Sequence, residues 1–255
     1  MENVIGMIGV FLAGLFAGAV NSVAGGGSLI SFPSLVAFGI PAIQANATNT
    51  AAIWPGSLSS ALAYRRDIEP DRQLLLTLLF PSLIGGLLGA VVLVITPPEL
   101  FNRVVPFLVL FATLLFASRD LIDRIVKRSG DAEHVSKLGR IWGFFFQLFV
   151  ATYGGYFGAG IGILMLGSLS VMGLRDIHEM NGLKTLLGTL INLIAFFYFA
   201  ARGLVVWPIA IVMGVGTIAG GFAGARYAKR VDQRLLRGLV VVVGLGVSAW
   251  LLLKG

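Results

Sequence analysis

The longest charge-free stretch of the sequence runs from Asn3 to Tyr64, where 62 consecutive positions hold no acidic, basic or histidine residue. A helix needs about 20 apolar residues to cross the hydrocarbon core of a bilayer, so this stretch is long enough for two or three crossings. Of all 255 residues, 57% are hydrophobic and 12% are charged, which is about half the charge of an ordinary soluble domain. These proportions exclude a soluble enzyme and a nucleic-acid-binding domain.

Charged residues and helix breakers divide the chain into ten apolar segments. Lipid offers no hydrogen bonds to an open strand edge, and the two-residue alternation of a membrane barrel is missing, so helices are expected. Two segments are short and adjoin glycine-rich breaks, and they either cross fully or are re-entrant. The segments are 4–23, 28–38, 42–64, 73–95, 100–118, 141–157, 161–174, 177–200, 205–225 and 238–253. We predict an all-α, polytopic membrane bundle with short or broken helices near the midplane.

The sequence repeats itself at an offset of 135 positions. This offset aligns Gly85-Gly86 with Gly220-Gly221, and it pairs Gly25 with Gly160, Gly27 with Gly162, Asn46 with Asn181 and Thr50 with Thr185. The repeat predicts two membrane halves of about five apolar segments each, residues 1–118 and 141–255, joined by a cytoplasmic linker at 119–140.

Basic residues predict how the two halves are oriented. Lys and Arg concentrate in the loops 65–72, 119–140 and 226–237, and the positive-inside rule places such loops in the cytoplasm. The repeat equivalent of loop 65–72 is 200–207, which holds a single Arg, whereas loop 91–102, without any, corresponds to basic loop 226–237. Because equivalent loops exchange charge, we predict inverted halves with both termini outside.

Glycine-rich breaks form the first candidate for a binding site. Inverted repeats with broken helices are typical of secondary transporters, which bind substrate near the midplane at half-helix ends. The N–H groups at a helix N-terminus favour an anion, and Gly25, Gly26 and Gly27 before Ser28, like Gly160 before Ile161, precede short helices. Three consecutive glycines break a helix through their backbone freedom, whereas Gly85, Gly89, Gly216, Gly220 and Gly224 are better explained by close helix packing.

Polar residues inside the apolar segments form the second candidate. Asn46, Asn49 and Thr50 share one helical face by three- and four-residue spacing, and such amides face a cavity or another helix because lipid does not solvate them. Two interpretations stay open here, an interhelical hydrogen-bond clamp and direct contact with a substrate.

Lys184 is the most informative single residue. It is the repeat partner of Asn49 and follows Asn181 by three positions, and a buried ammonium needs either an anionic ligand or a carboxylate such as Asp176 or Glu179. The predicted substrate-binding residues are Gly25, Gly26, Gly27, Ser28, Asn46, Asn49, Thr50, Gly160, Asn181, Lys184 and Thr185. A small anion is the expected ligand.

Signals for catalysis or for a cofactor are weak. The chain has no Cys and two His, so Cys-ligated metals are excluded and the partial zinc-protease pattern at His178-Glu179 lacks its second His. We expect no metal, no cofactor and no enzymatic activity. An intramembrane enzyme and a membrane scaffold without transport are the alternatives to a transporter.

The motifs together resemble the TauE/SafE sulfite exporter family over nearly the whole chain. The resemblance rests on Asn21-Ser22-Val23-Ala24-Gly25-Gly26-Gly27-Ser28, Gly39-Ile40-Pro41, Ala45-Asn46-Ala47-Thr48-Asn49-Thr50, Gly158-Ala159-Gly160-Ile161-Gly162 and Asn181-Gly182-Leu183-Lys184-Thr185. It implies transport of sulfite, a sulfonate or a related organosulfur anion across the bacterial cytoplasmic membrane. We expect alternating access of two inverted halves, with a small anion and the lipid bilayer as partners, no nucleic acid, and homo-oligomerisation left open.

Overall fold

The computed structural model describes residues 2–23, 26–64, 72–118, 137–172, 174, 177–227 and 233–254. Within these ranges the chain forms ten α-helices and no strand, which confirms the all-α prediction. The helices are α1 (Glu2–Val23), α2 (Ser28–Ala37), α3 (Ala42–Tyr64), α4 (Arg72–Ile95), α5 (Pro98–Ala117), α6 (Lys137–Tyr156), α7 (Ile161–Val171), α8 (Ile177–Ala201), α9 (Trp207–Tyr227) and α10 (Gln233–Lys254).

Several helices have the length and composition of membrane spans. Five spans qualify among the described residues, in α1, α4, α5, α8 and α9: Ile5–Ser22, Leu74–Ile95, Pro98–Ala117, Gly182–Ala201 and Trp207–Gly224. Large apolar side chains such as Phe149, Phe222 and Val242 are exposed on the outside of the bundle. Exposed apolar side chains on helices of this length are suited to lipid contact, so the protein is a multi-pass membrane protein.

The order of helices in the first half recurs in the second. Each half has one long helix, one short helix and then three long ones. Packing follows the same rule: α1 lies mainly on α9 while its counterpart α6 lies mainly on α4, and α3 packs on α8 as α5 packs on α10. Exchanging each helix for its counterpart therefore reproduces the main helix contacts.

Glycines let the helices of the two halves approach closely. A Cβ atom on Gly220 would collide with the backbone oxygen of Leu15 in α1, and one on Gly89 would collide with that of Thr152 in α6. Gly85, Gly216 and Gly224 are equally close to the facing backbone. The prediction that these five glycines serve helix packing is confirmed, because small residues are what permit backbones to approach within a bilayer.

The two equivalent helices α3 and α8 run antiparallel. The Trp54 ring of α3 contacts the Phe196 ring of α8 with centroids 5.6 Å apart. Nearer the start of α3, the Thr48 hydroxyl accepts a 3.0 Å hydrogen bond from the backbone N–H of Val206, which lies beyond the end of α8. The N-terminal end of α3 is therefore at the same end of the bundle as the C-terminal end of α8.

The short helix of the second half folds back on the helix before it. Gly143 near the start of α6 faces Met172 just beyond α7, and Gly154 near the end of α6 faces Ile161 at the start of α7. Because α7 has 11 residues, it extends about 16 Å, roughly half the thickness of the hydrocarbon core. This helix returns toward the end of the bundle where α6 begins.

Candidate functional site

In the first glycine-rich break, the structure describes Gly26 and Gly27, and at both positions neighbouring atoms leave no room for a side chain. Gly27 has an ordinary helical φ of −55°, but a Cβ atom there would collide with the backbone oxygen of Ala17, and one on Gly26 would meet the Phe116 ring at 2.6 Å. The expectation that this break needs backbone freedom is therefore wrong for Gly27, where a close approach of two backbones excludes a side chain. Gly25 lies outside the described residues.

The second break does require the backbone freedom of glycine. Gly158 and Gly160 have φ values of +81° and +80°, a region that other residues rarely adopt. The Tyr153 hydroxyl of α6 donates a 2.8 Å hydrogen bond to the carbonyl of Ala159 between them. The chain thus turns from α6 into α7 through a fixed, left-handed pair of glycines.

Polar side chains of α3 join the first break to the end of α6. Ser31 of α2 donates a hydrogen bond to Asn49 Oδ1, and Asn46 Nδ2 donates a 2.8 Å bond to the carbonyl of Tyr156. The Thr50 hydroxyl bonds within its own helix, to the carbonyl of Asn46 at 3.0 Å. Both asparagines are at least 98% buried, so one end of each amide acts as the interhelical clamp that the sequence left open.

The amide oxygen of Asn46 takes no part in the interhelical hydrogen bond that its nitrogen makes to Tyr156. Its Oδ1 is buried and has no hydrogen-bond partner among the residues that the structure describes, although buried acceptors are nearly always paired. Ser28 lies three residues before Ser31 at the start of α2, where it is half-buried, and the N–H groups of Leu29 and Ile30 bond back to Gly26 and Gly27 at 3.0 and 2.9 Å. The first polar cluster, Ser28, Ser31, Asn46, Asn49 and Thr50, therefore retains a free acceptor.

Lys184 lies across the first turn of α7. A Cβ atom on Gly162 would sit 3.2 Å from Lys184 Cδ, so glycine leaves room for the lysine stem there. Lys184 and Thr185 are half-buried, while Asn181 lies in α8 with its side chain outside what the structure describes. The second polar cluster, Gly162, Lys184 and Thr185, places the lysine stem beside the N-terminus of a short helix.

The structure does not bring the two clusters into one site. Lys184 stands 12 residues before Phe196 in α8, about 18 Å along the axis at 1.5 Å per residue. Asn49 lies on the opposite side of Trp54, the residue that touches Phe196. The predicted residues of α3 and α8 therefore form two polar clusters toward opposite ends of the α3–α8 pair, and their role in binding a substrate stays a prediction.

Three polar side chains between the clusters were missed by the sequence reasoning. Asn21 Nδ2 of α1 donates a 3.1 Å hydrogen bond to Ser57 Oγ of α3, and Asn192 Oδ1 of α8 borders Gly158 in the second break, where a Cβ atom would lie 3.7 Å away. Two signals in the sequence identify Asn192: it follows Ser57 by 135 positions, and it continues the four-residue spacing from Lys184. These residues extend a polar face along the middle of both helices.

The chain is similar to known proteins over nearly its whole length. A family model described as "Sulfite exporter TauE/SafE" matches residues 10–251. The "Probable membrane transporter protein ORF9" of Sinorhizobium sp. is 30% identical, over 95% of this chain and 91% of its own length. The "Probable membrane transporter protein YfcA" of Escherichia coli K12 is 28% identical, over 96% and 90%.

A third relative and the search for solved structures complete the comparison. The "Probable membrane transporter protein" of Haemophilus influenzae is 26% identical over 94% of this chain and 92% of its own length. No solved structure is significantly similar to the chain. Since the family model covers nearly the whole length, the chain belongs to the TauE/SafE sulfite exporter family.

Proposed function

We propose that the protein moves a small sulfur-containing anion, sulfite or a sulfonate, across the bacterial cytoplasmic membrane. Membership of the family supports transport, and the family's description as sulfite exporters supports a sulfur anion. The relatives are named as membrane transporters, which favours a transporter over an enzyme or a scaffold.

The observation that carries the proposal is the position of Lys184 over Gly162. Helix α7 begins one residue earlier, at Ile161, and the N–H groups of a first helical turn attract negative charge together with the helix dipole. The lysine stem lies against this turn, so the ammonium and the helix end act on the same region. A compact anion with several acceptor oxygens, such as sulfite or a sulfonate group, has the size and the charge to contact both groups at once.

The placement of the two clusters supports alternating access as the mechanism. Each lies against a short helix, and the repeat relates them through α3 and α8, which run antiparallel. In this mechanism the two halves are inverted, each cluster opens to its own side of the membrane in turn, and the Ser57–Asn192 region lies between them. With inverted halves and the basic loops in the cytoplasm, the proposal has both termini outside.

Transport is tested directly in proteoliposomes. Purified protein is reconstituted and the flux of sulfite, sulfate, taurine and sulfoacetate is measured, with empty liposomes as the control. We expect saturable flux of sulfite or of one sulfonate, recovered chemically unchanged, and lower flux of sulfate. Conversion of the substrate would support an intramembrane enzyme instead, and flux equal to that of empty liposomes for all four anions would contradict the proposal.

A further inference from the structure

Tyr153 of α6 is bound to the second break through both its main chain and its side chain. Its carbonyl accepts hydrogen bonds from the N–H groups of Phe157 and Gly158 at 2.9 and 3.3 Å, and its hydroxyl donates to the carbonyl of Ala159 at 2.8 Å. Ala159 is 1% exposed, and a buried carbonyl that loses its donor is destabilised. One residue therefore holds three consecutive residues of the turn between α6 and α7.

The ring of Tyr153 is fixed independently of its hydroxyl. It packs edge-on against the Phe111 ring of α5, with centroids 5.6 Å apart and planes at 86° to each other. Edge-to-face pairs of aromatic rings are favourable, and they need no hydroxyl, so a phenylalanine at position 153 keeps this contact. Because α5 belongs to the first half, the ring also connects the second break to the other half of the bundle.

The first break has no tyrosine at the equivalent position. The repeat offset of 135 places Gly18 of α1 where the second half has Tyr153, and Gly18 packs directly against the backbone of Thr217 in α9. Crowding by the Phe116 ring and by the backbone of α1 surrounds the glycines of the first break. The second break differs because its conformation depends on a side-chain hydrogen bond.

The Tyr153 hydroxyl also determines the direction of an N–H group just before α7. A trans peptide group is planar, so its carbonyl and its N–H point in opposite directions. Since the Ala159 carbonyl is turned toward Tyr153, the N–H of Gly160 points away from Tyr153. The N–H of Ile163 bonds to the Gly160 carbonyl at 3.0 Å, and the N–H groups that precede it have no partner within the helix.

We propose that Tyr153 is a positioning residue for anion binding, whose hydroxyl holds the second break in the conformation that presents the first turn of α7 to the anion. This role rests on the proposed function, and it acts through the backbone rather than through contact with the anion. Gly158 and Gly160 flank the bonded carbonyl with positive φ values, and glycine adopts positive and negative φ about equally readily. Without the hydroxyl, the turn is free to change conformation and the helix end shifts relative to Lys184.

Hydrogen exchange of the purified protein tests the first step without any anion. Exchange is followed by mass spectrometry in peptides that cover residues 157–163, in the wild type and in Tyr153→Phe. Backbone amides exchange through local opening, and the loss of one hydrogen bond raises the population of the open form by about 3- to 10-fold. We expect exchange to become faster by that factor in these peptides and to stay unchanged in peptides from α1 and α9.

Anion flux in proteoliposomes tests the second step. The anion concentration that gives half-maximal flux is measured together with the maximal flux per mole of protein. If the hydroxyl positions the helix end, Tyr153→Phe raises the half-maximal concentration by about 3- to 10-fold and keeps most of the maximal flux. A tyrosine that serves only stability would instead lower the maximal flux, because fewer molecules are folded, and leave the half-maximal concentration unchanged.

Tyr198→Phe is the matched control, because it removes the same hydroxyl from a ring near the end of α8. That ring contacts the guanidinium of Arg202, whose central carbon lies 5.5 Å from the ring centroid, and phenylalanine retains the ring. We expect wild-type exchange and a wild-type half-maximal concentration in this variant.

Two results would overturn the role of Tyr153: unchanged exchange in Tyr153→Phe, and faster exchange with an unchanged half-maximal concentration. A wild type without flux of any tested anion contradicts the proposed function instead, and the exchange rates then decide alone whether Tyr153 holds the second break.

Discussion

Lys184 is the residue at which anion binding and structural pairing make opposite predictions. If its ammonium binds the anion, Lys184→Gln keeps hydrogen bonding and loses the charge, and a charge-assisted bond is worth about 1.5–3 kcal/mol. We expect anion affinity to fall by roughly 10- to 100-fold, with the melting temperature nearly unchanged. Lys184→Arg should retain part of the affinity, since a planar fork replaces a compact charge. Substrate titration on the purified variants measures both effects.

Loss of stability is the outcome that would assign Lys184 a structural role. Glu179 lies in the first turn of α8, and removing one partner of a buried ion pair costs about 3–5 kcal/mol because the other charge is left uncompensated. Lys184→Gln would then melt well below the wild type and bind the anion with normal affinity. Glu179→Gln is the companion variant, because a Lys184–Glu179 ion pair would make the effects of the two single substitutions on stability non-additive in the double variant.

The residue scale also shows where sequence reasoning reaches its limit. Helical spacing places Asn46, Asn49 and Thr50 on one face, and the structure keeps them together. Spacing within one helix says nothing about the level at which two helices meet, so the sequence could not show that Lys184 lies far from Asn49. The contact of Trp54 with Phe196 supplies that information.

At the scale of elements, the left-handed backbone of the second break predicts that replacing Gly160 strains the chain. Gly160 has a φ of +80° and its nearest neighbour would lie 3.5 Å from an added Cβ atom, so Gly160→Ala has room but an unfavourable backbone, at about 1–2 kcal/mol. We expect reduced anion flux and a lower melting temperature. Gly167→Ala in α7, where an added Cβ atom meets nothing within 4 Å, is the control and should keep normal flux. Equal flux in both variants would show that the left-handed turn is not needed.

Where glycines allow two helices to pack closely, an added side chain is predicted to destabilise the protein by overpacking. A Cβ atom on Gly89 would collide with the backbone oxygen of Thr152, which no rotamer change relieves, whereas one on Gly238 in α10 meets no described residue within 4 Å. Overpacking costs about 1–3 kcal/mol, so Gly89→Ala should melt lower and yield less folded protein. Gly238→Ala should be neutral or slightly stabilising, since alanine favours a helix over glycine. A thermal melt of the two variants in the same detergent compares them, and equal melting temperatures would contradict close packing at Gly89.

At the scale of the whole molecule, the sequence predicts segments far better than it predicts their assembly. Apolar length and glycine breaks predict ten helices with two short ones, and the structure has them at these places. The packing of α1 on α9 and of α4 on α6 joins residues from different halves, and it depends on which backbones approach closely in three dimensions. The glycines that permit it are visible in the sequence, but their partners, such as Leu15 for Gly220, are not.

Orientation in the membrane is the last property to be tested, and the absence of native Cys makes it accessible. Single cysteines are placed at Ile68, in a basic loop outside the described residues, and at Ala201, an exposed position at the end of α8 in the repeat-equivalent region. Because α3 and α8 run antiparallel and basic loops stay in the cytoplasm, Ile68→Cys should react with a membrane-impermeant thiol reagent only after the inner face is exposed. Ala201→Cys should react in intact cells. Reaction of both positions from the same side would mean that the equivalent helices are not inverted across the bilayer, and the two polar clusters would then not open to opposite sides.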